Sequence, residues 1–146
     1  MKIVIAGAGE VGSHLAKMLS GNRHASTVID SDPKLPDEVA GMADIVTVEG
    51  DCTTFAALKK ASVRKSDLFI AVNHVENLNI ISAILAKQLG ARKSIARIDN
   101  NEYLEPNNKE MFINMGIDYL FYPEKVAARE VINLLGHSVT TEYMDF

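Results

Sequence analysis

The chain has 146 residues, 47% of them hydrophobic, and a net charge of −4. That length suits one domain with a proper core. The acidic balance, with no Lys/Arg cluster expected to supply a local exception, argues against a nucleic-acid partner. No apolar run reaches the roughly 18 residues that span a bilayer, and MKIVIAGAG enters a strand directly, without a signal-peptide cleavage pattern. The single cysteine, Cys52, excludes an internal disulfide and fits a reducing cytoplasm.

The first element is a short apolar strand, Ile3 to Ala6, whose β-branched residues suit burial on both faces. Gly7, Ala8, Gly9, Glu10, Val11 and Gly12 follow in G-x-G-x-x-G spacing. Val11, Leu15, Met18 and Leu19 then mark one face of a helix. Gly7 permits the tight turn, Gly9 lets backbone approach a pyrophosphate, and Gly12 allows close helix–strand packing. The phosphates would sit on the unpaired N–H groups at the helix start. A glycine signature alone is weak; framed by a strand and a helix it is strong.

Ser26 to Ile29 reads as the second strand and ends in Asp30, 18 residues after Gly12. An acid there can accept hydrogen bonds from both ribose hydroxyls and repel a 2′-phosphate, which favours NAD(H) or a plain adenine nucleotide over NADP(H). Ser31-Asp32-Pro33 resembles a helix N-cap with proline at the first position, so a second helix is expected over Lys34 to Met42. Ile45 to Val48 is the third strand. Asp51-Cys52 forms a turn, and Thr53 or Thr54 caps a helix through Phe55, Leu58 and Ala61. Leu68 to Val72 is the most apolar strand and is expected at the centre. The next helix runs from Glu76 to Leu89, with Leu78, Ile81, Leu85 and Leu89 on one side, Ile80 and Ile84 alongside, and Gly90 as its stop.

Ser94 to Ile98 is a fifth strand. Pro106 breaks the next segment, which predicts a short helix only from about Asn108, stopped by Gly116. Tyr119 to Phe121 is the sixth strand, and a last helix is expected over Glu124 to Leu135. The alternation predicts a Rossmann-like α/β fold, a doubly wound parallel sheet in the order 3-2-1-4-5-6. It places the nucleotide-binding domain at 1–136. Residues 137–146 read as a tail strand with nowhere to pair, the expected start of a further module.

In such a sheet, ligand contacts come from loops at the C-terminal ends of the strands, near the reversal of order. Those loops hold the glycine signature, Asp30, Ser31 and Asp32, then Asp51 and Cys52, Asn73 and His74, and Asp99. Asp51 can accept from an adenine amino group or serve only as a turn residue. Arg97, a charge within a strand, suits either a phosphate or a structural ion pair. His14, His24 and His137 read as surface or packing residues, whereas His74 lies on the ligand edge. Cys52 has no cationic neighbour in sequence to activate it and reads as a small near-core residue. No metal-ligand spacing or nucleophile elbow is present, and six β-α units leave no room for a substrate domain. These observations reach only a nucleotide-binding Rossmann domain, with a small NAD-dependent oxidoreductase fragment lacking its substrate half as the enzyme reading.

Taken together, GAGEVG, VIDSD, EGDCT, LFIAVNHVENLN, SIARID and GIDYLFYPEKVAA resemble the N-terminal domain of cytoplasmic potassium-transport regulators of the TrkA/KtrA type, also called KTN or RCK domains. The resemblance runs from Lys2 to about Leu135. It implies binding of NAD(H), with ATP or ADP as alternatives, and assembly into homodimers or rings. It also implies a regulator rather than an enzyme, one that controls a membrane potassium channel or transporter from the inner face of the membrane, with a nucleotide sensor for a non-potassium partner as a further alternative. By the same resemblance the glycine loop holds phosphates, Asp30 the ribose, Asp51 and Cys52 border the adenine, and Arg97 lies near the phosphates. Glu124 falls near the nucleotide and the subunit interface, and the last helix corresponds to the crossover helix that packs on a partner subunit. Glu10 departs from members that carry arginine in the loop; an acid so near a γ-phosphate favours a dinucleotide over ATP. The C-terminal ligand-binding module usual in such regulators has no counterpart here, so truncation is expected.

Overall fold

The computed structural model describes residues 1–37 and 39–122. The strands are Lys2–Ala6 (β1), Ala25–Asp30 (β2), Ile45–Glu49 (β3), Leu68–Ala71 (β4), Lys93–Arg97 (β5) and Tyr119–Phe121 (β6). They form one parallel sheet in the order β3-β2-β1-β4-β5-β6, as the alternation of elements predicts. The helices are Glu10–Gly21 (α1), Phe55–Lys60 (α2), Glu76–Leu89 (α3) and Pro106–Asn114 (α4), joined by single 3-10 turns at Val63–Lys65 and Asn101–Leu104.

Side chains alternate across the pleat, so each central strand feeds two cores. Ile3 and Ile5 of β1 pack with Leu15, Ala16 and Leu19 of α1 on one face. Val4 and Ala6 pack on the other with Leu58 of α2 and Ala83 and Ala86 of α3. All four β4 residues are buried, which explains the unbroken apolar run. Chain order reverses between β1 and β4, and the C-terminal ends of those strands open the crevice where such sheets bind ligands.

Four expectations are corrected. Among the described residues of Lys34 to Met42, in the connection from β2 to β3, there is no helix; the chain turns through Val39 and Ala40, whose N–H groups both donate to Pro36 O. Pro33 and Pro36 lack N–H donors, Leu35 precedes a proline, and Gly41 takes φ +95°, so a regular helix cannot propagate there. Ser31-Asp32-Pro33 accordingly caps nothing. Next, Pro106 does not delay α4 but opens it at the first position, where the missing N–H is harmless.

The third correction concerns α3: Leu78, Ile80, Ile84, Leu85 and Leu89 pack half-buried against the core as expected, but the fully buried residues are Asn79, Ser82, Ala83 and Ala86, and Ile81 is 47% exposed. Small residues bring the helix close enough for Ser94 Oγ of β5 to donate to Ala83 O at 2.7 Å. Finally, a Lys/Arg cluster does exist: Lys59, Lys60, Arg64 and Lys65 lie within one short segment. The last helix with Glu124 and His137, and the tail, lie outside the described residues. Among the described residues no helix is long and apolar enough to cross a membrane.

Candidate functional site

The first crossover builds the crevice. Gly7 turns the chain out of β1 at φ +119°, a conformation that L side chains rarely adopt. Its N–H donates to Ile29 O at 2.8 Å, which ties the loop to β2. A Cβ on Gly12 would lie 1.8 Å from Gly7 O, so no other residue fits while the loop keeps this shape. Ser13 Oγ donates to Ala8 O and Ser13 N to Gly9 O, closing the turn onto α1. Gly9 is the N-cap and carries no side chain to satisfy the leading N–H groups of α1. Those donors, with the positive end of a 12-residue helix behind them, suit an anion. A Cβ on Gly9 would meet only the tip of His74, at 3.2 Å from Nε2.

Asp30 ends β2 directly beside this loop. Its Oδ2 accepts from Ala8 N at 2.7 Å and its Oδ1 from Asp32 N at 2.9 Å. One carboxylate therefore fixes both the glycine loop and the turn after β2, and each oxygen keeps a lone pair for a further donor. Ser31 follows it on the surface. A hollow of about 170 Å³ brings together Asp30, Ser31, Asp51, Cys52 and Asn73 over Ile29 and Leu78. A second hollow of about 350 Å³ is lined by Ala8, Gly9 and Glu10 with Lys34 and Leu35. The glycine loop lies between an apolar-floored recess edged with acceptors and a recess carrying one cation.

Asp51 takes the turn role. Its Oδ1 accepts from both Oγ1 and N of Thr53, and these two hydrogen bonds, the hydroxyl's first, hold its carboxyl below the ordinary carboxylate value. Thr54 caps α2 through Oγ1, which accepts from Ala57 N. Cys52 is buried at the wall of the first hollow, and burial raises its thiol pKa although Asn73 Nδ2 donates to its Sγ. It is held as the neutral thiol rather than as a nucleophile.

Asn73 and His74 both leave the end of β4 toward the crevice, but a residue not singled out in sequence sets their position. Asn79 is fully buried. Its Oδ1 accepts from Asn73 N and Nδ2, and its Nδ2 donates to Asn73 O and Arg97 O. The side chain thereby joins the ends of β4 and β5. An Asn three residues into a helix is an available signal, but its partner Arg97 is visible only in three dimensions. Glu76 does related work at the helix start, where Oε2 accepts from Asp99 N and Asn100 N. Lys34, on the loop that replaces the expected helix, was likewise unforeseen.

Val11 sits half-buried in α1, against the core. Arg97 stands apart from the glycine loop, on β5, with β4 between it and β1. Its side chain is 15% exposed, and Nε lies 3.6 Å from Asp99 Oδ1 without a hydrogen-bond partner. The crevice thus unites Gly7 to Gly12, Asp30, Ser31, Asp51, Cys52, Asn73 and His74, and leaves Arg97 at its margin. Among the described residues no cluster of three or more His, Cys, Asp or Glu could hold a metal ion.

Residues 3–123 match the model of the TrkA-N domain. The chain is 37% identical over 147 residues to a protein of Archaeoglobus fulgidus named Trk system potassium uptake protein TrkA homolog. That match takes in 100% of this chain but 33% of the relative, so the chain spans about a third of that protein's length. Among solved structures, the TrkA-N domain of inner membrane protein ybaL from Escherichia coli is similar at a TM-score of 0.71 and 18% identity, over 92% of this chain and 96% of that one. The GsuK channel bound to NAD is similar at 0.67 and 24% identity, over 95% of this chain and 24% of that one. At these identities the two structures bear on the fold.

Proposed function

The chain belongs to the TrkA-N domain family, and from that premise we propose that it is the nucleotide-binding regulatory part of a potassium-uptake system. The observation that carries the proposal is the uncapped N-terminus of α1 beside the Asp30 carboxylate. Free N–H groups there receive the phosphates. Asp30, already oriented by Ala8 and Asp32, accepts from the ribose hydroxyls, and the hollow bounded by Asp51, Cys52 and Asn73 takes the base. Glu10 opens α1, where a carboxylate disfavours a terminal phosphate more than the diester-like bridge of a dinucleotide. NAD(H) is therefore the favoured ligand, ahead of ADP and ATP. The Archaeoglobus relative's name supports the potassium-uptake role, and GsuK structures of similar fold bound to NAD and to ADP are in keeping with a nucleotide site.

In this proposal the nucleotide is a signal and not a substrate. Its occupancy changes how two copies of the domain sit across their interface, and that change reaches a membrane potassium channel or transporter. The protein then works on the cytoplasmic face, held at the membrane by its partner. The homodimer rests on the sequence pattern of residues 124–135, where few charges interrupt the apolar positions. Parallel calorimetric titrations with NADH, NAD⁺, ADP and ATP test the proposal. The expected order is NADH or NAD⁺ tightest, and NADH consumption dependent on an added carbonyl substrate would overturn the regulatory role.

A further inference from the structure

At the opposite edge of the sheet, the cationic segment after α2 lines a hollow of about 500 Å³ together with the end of α3. It is larger than either hollow beside the glycine loop. Leu58 and Leu89 give it apolar walls, and Lys59, Arg64 and Lys65 surround them. We propose that this hollow binds a small organic dianion with an apolar body, of the phosphate monoester class.

Three observations carry the proposal. From Cys52 to Ser66 the sequence contains Lys59, Lys60, Arg64 and Lys65 and no acid, in a chain whose net charge is −4. Among the described residues none of these four cations forms an ion pair. The nearest acid in sequence, Asp67, is engaged with Lys2 N and faces Arg92. Second, the fold gathers the charges. Ser62 takes the left-handed conformation, φ 58° and ψ 41°, which is uncommon outside glycine and asparagine. This bend carries Arg64 and Lys65 round to the hollow that Lys59 already borders. Third, the cations surround a concavity in the size range of small-molecule sites, about 300–1,000 Å³, instead of forming a flat stripe. Lys59 and Lys60 complement the carbonyl end of α2, but Arg64 and Lys65 end a turn of only 3 residues, which has almost no dipole to offset. Crowded like charges beside apolar walls favour a ligand that supplies both negative charge and apolar surface.

The test is a titration of the 146-residue chain followed by nitrogen–proton correlation NMR, with hexyl phosphate as the probe. Inorganic phosphate and hexanol serve as its charged and apolar halves. Hexyl phosphate is expected to give saturable shifts at residues 58–65 and 88–90, tighter than either half and weakened by added salt. In the double variant Arg64→Glu, Lys65→Glu, with native circular dichroism, its affinity should fall about tenfold or more. No saturable shift at millimolar probe, equal binding by hexanol, or unchanged affinity in the double variant would each overturn the proposal. Saturation by a glutamate-rich peptide but not by hexyl phosphate would also overturn it and make this a protein-docking face.

Discussion

At the C-terminal edge of the sheet the groups suited to an anion are backbone N–H donors, and the nearby side chains are largely acids that accept hydrogen bonds. Asp30, Asp51 and Glu76 each accept two hydrogen bonds from neighbouring groups, and all but one of those donors are backbone N–H groups. At the N-terminal edge the arrangement is reversed. Lys59, Arg64 and Lys65 surround apolar walls without described ion-pair partners. One edge fixes its ligand groups before anything binds; the other offers charge on long side chains. The first edge should therefore be selective and intolerant of change, whereas the second should be salt-sensitive and forgiving.

Helix α1 runs from one edge to the other, and its two glycines test that contrast most sharply. Gly12→Ala would place a methyl 1.8 Å from Gly7 O, a backbone clash no rotamer relieves. A loss of about 3 kcal/mol or more is expected by urea denaturation, together with nucleotide binding. Native stability in this variant would show that the glycine-loop edge tolerates change after all.

Asp30→Asn removes the charge that holds the loop and, in the proposed binding mode, reads the ribose. NADH affinity should fall about ten- to a hundredfold, corresponding to roughly 1.5–3 kcal/mol. NADPH should lose less, or gain, because repulsion of its 2′-phosphate is removed. Equal losses for both cofactors would mean that Asp30 supports the loop without reading the ribose.

Asn79→Ala leaves Asn73 N, Asn73 O and Arg97 O without the side chain that joins them. A cost of about 1–3 kcal/mol is expected in denaturant titration, and calorimetry should show weakened nucleotide binding even though Asn79 lines neither hollow beside the glycine loop. At the far end of α1, a Cβ on Gly21 meets nothing within 4 Å. Gly21→Ala should therefore stabilise the fold by about 0.5–1 kcal/mol and leave binding unchanged.

The smallest effect is a titration. Burial raises the Cys52 thiol above its ordinary value of 9.0. A group with a raised folded pKa contributes stability at pH below its unfolded value and loses that contribution as pH rises toward the folded one. Denaturant midpoints of the parent chain should decline above about pH 9 more steeply than those of Cys52→Ala. Iodoacetamide should modify Cys52 slowly at neutral pH, and more slowly with NADH in the neighbouring hollow.

Sequence pattern made the sheet order, the glycine loop and the bounds of α3 legible, because each rests on local spacing: β-branched runs, G-x-G-x-x-G, and a helical period ended by Gly90. It failed where prolines compete with periodicity, between Lys34 and Met42. It also missed the centre of the α3 contact. The aliphatic residues other than Ile81 do pack against the core, yet close packing against β4 and β5 puts the small side chains of Asn79, Ser82, Ala83 and Ala86 deepest. The residues of the crevice were readable one at a time. Their support was not, since the bonds from Asp30 to Ala8 and from Asn79 to Arg97 join segments 22 and 18 residues apart.

The most direct measurement is an amide shift map of the parent chain titrated with NADH. Binding at the built edge predicts saturable shifts at Gly9, Glu10, Val11 and Gly12, at Ser31 and Asp32, and at Cys52 and Asn73. Residues 59–65 should stay unmoved. Shifts concentrated at residues 59–65, or no saturable shift at the glycine loop, would contradict the account.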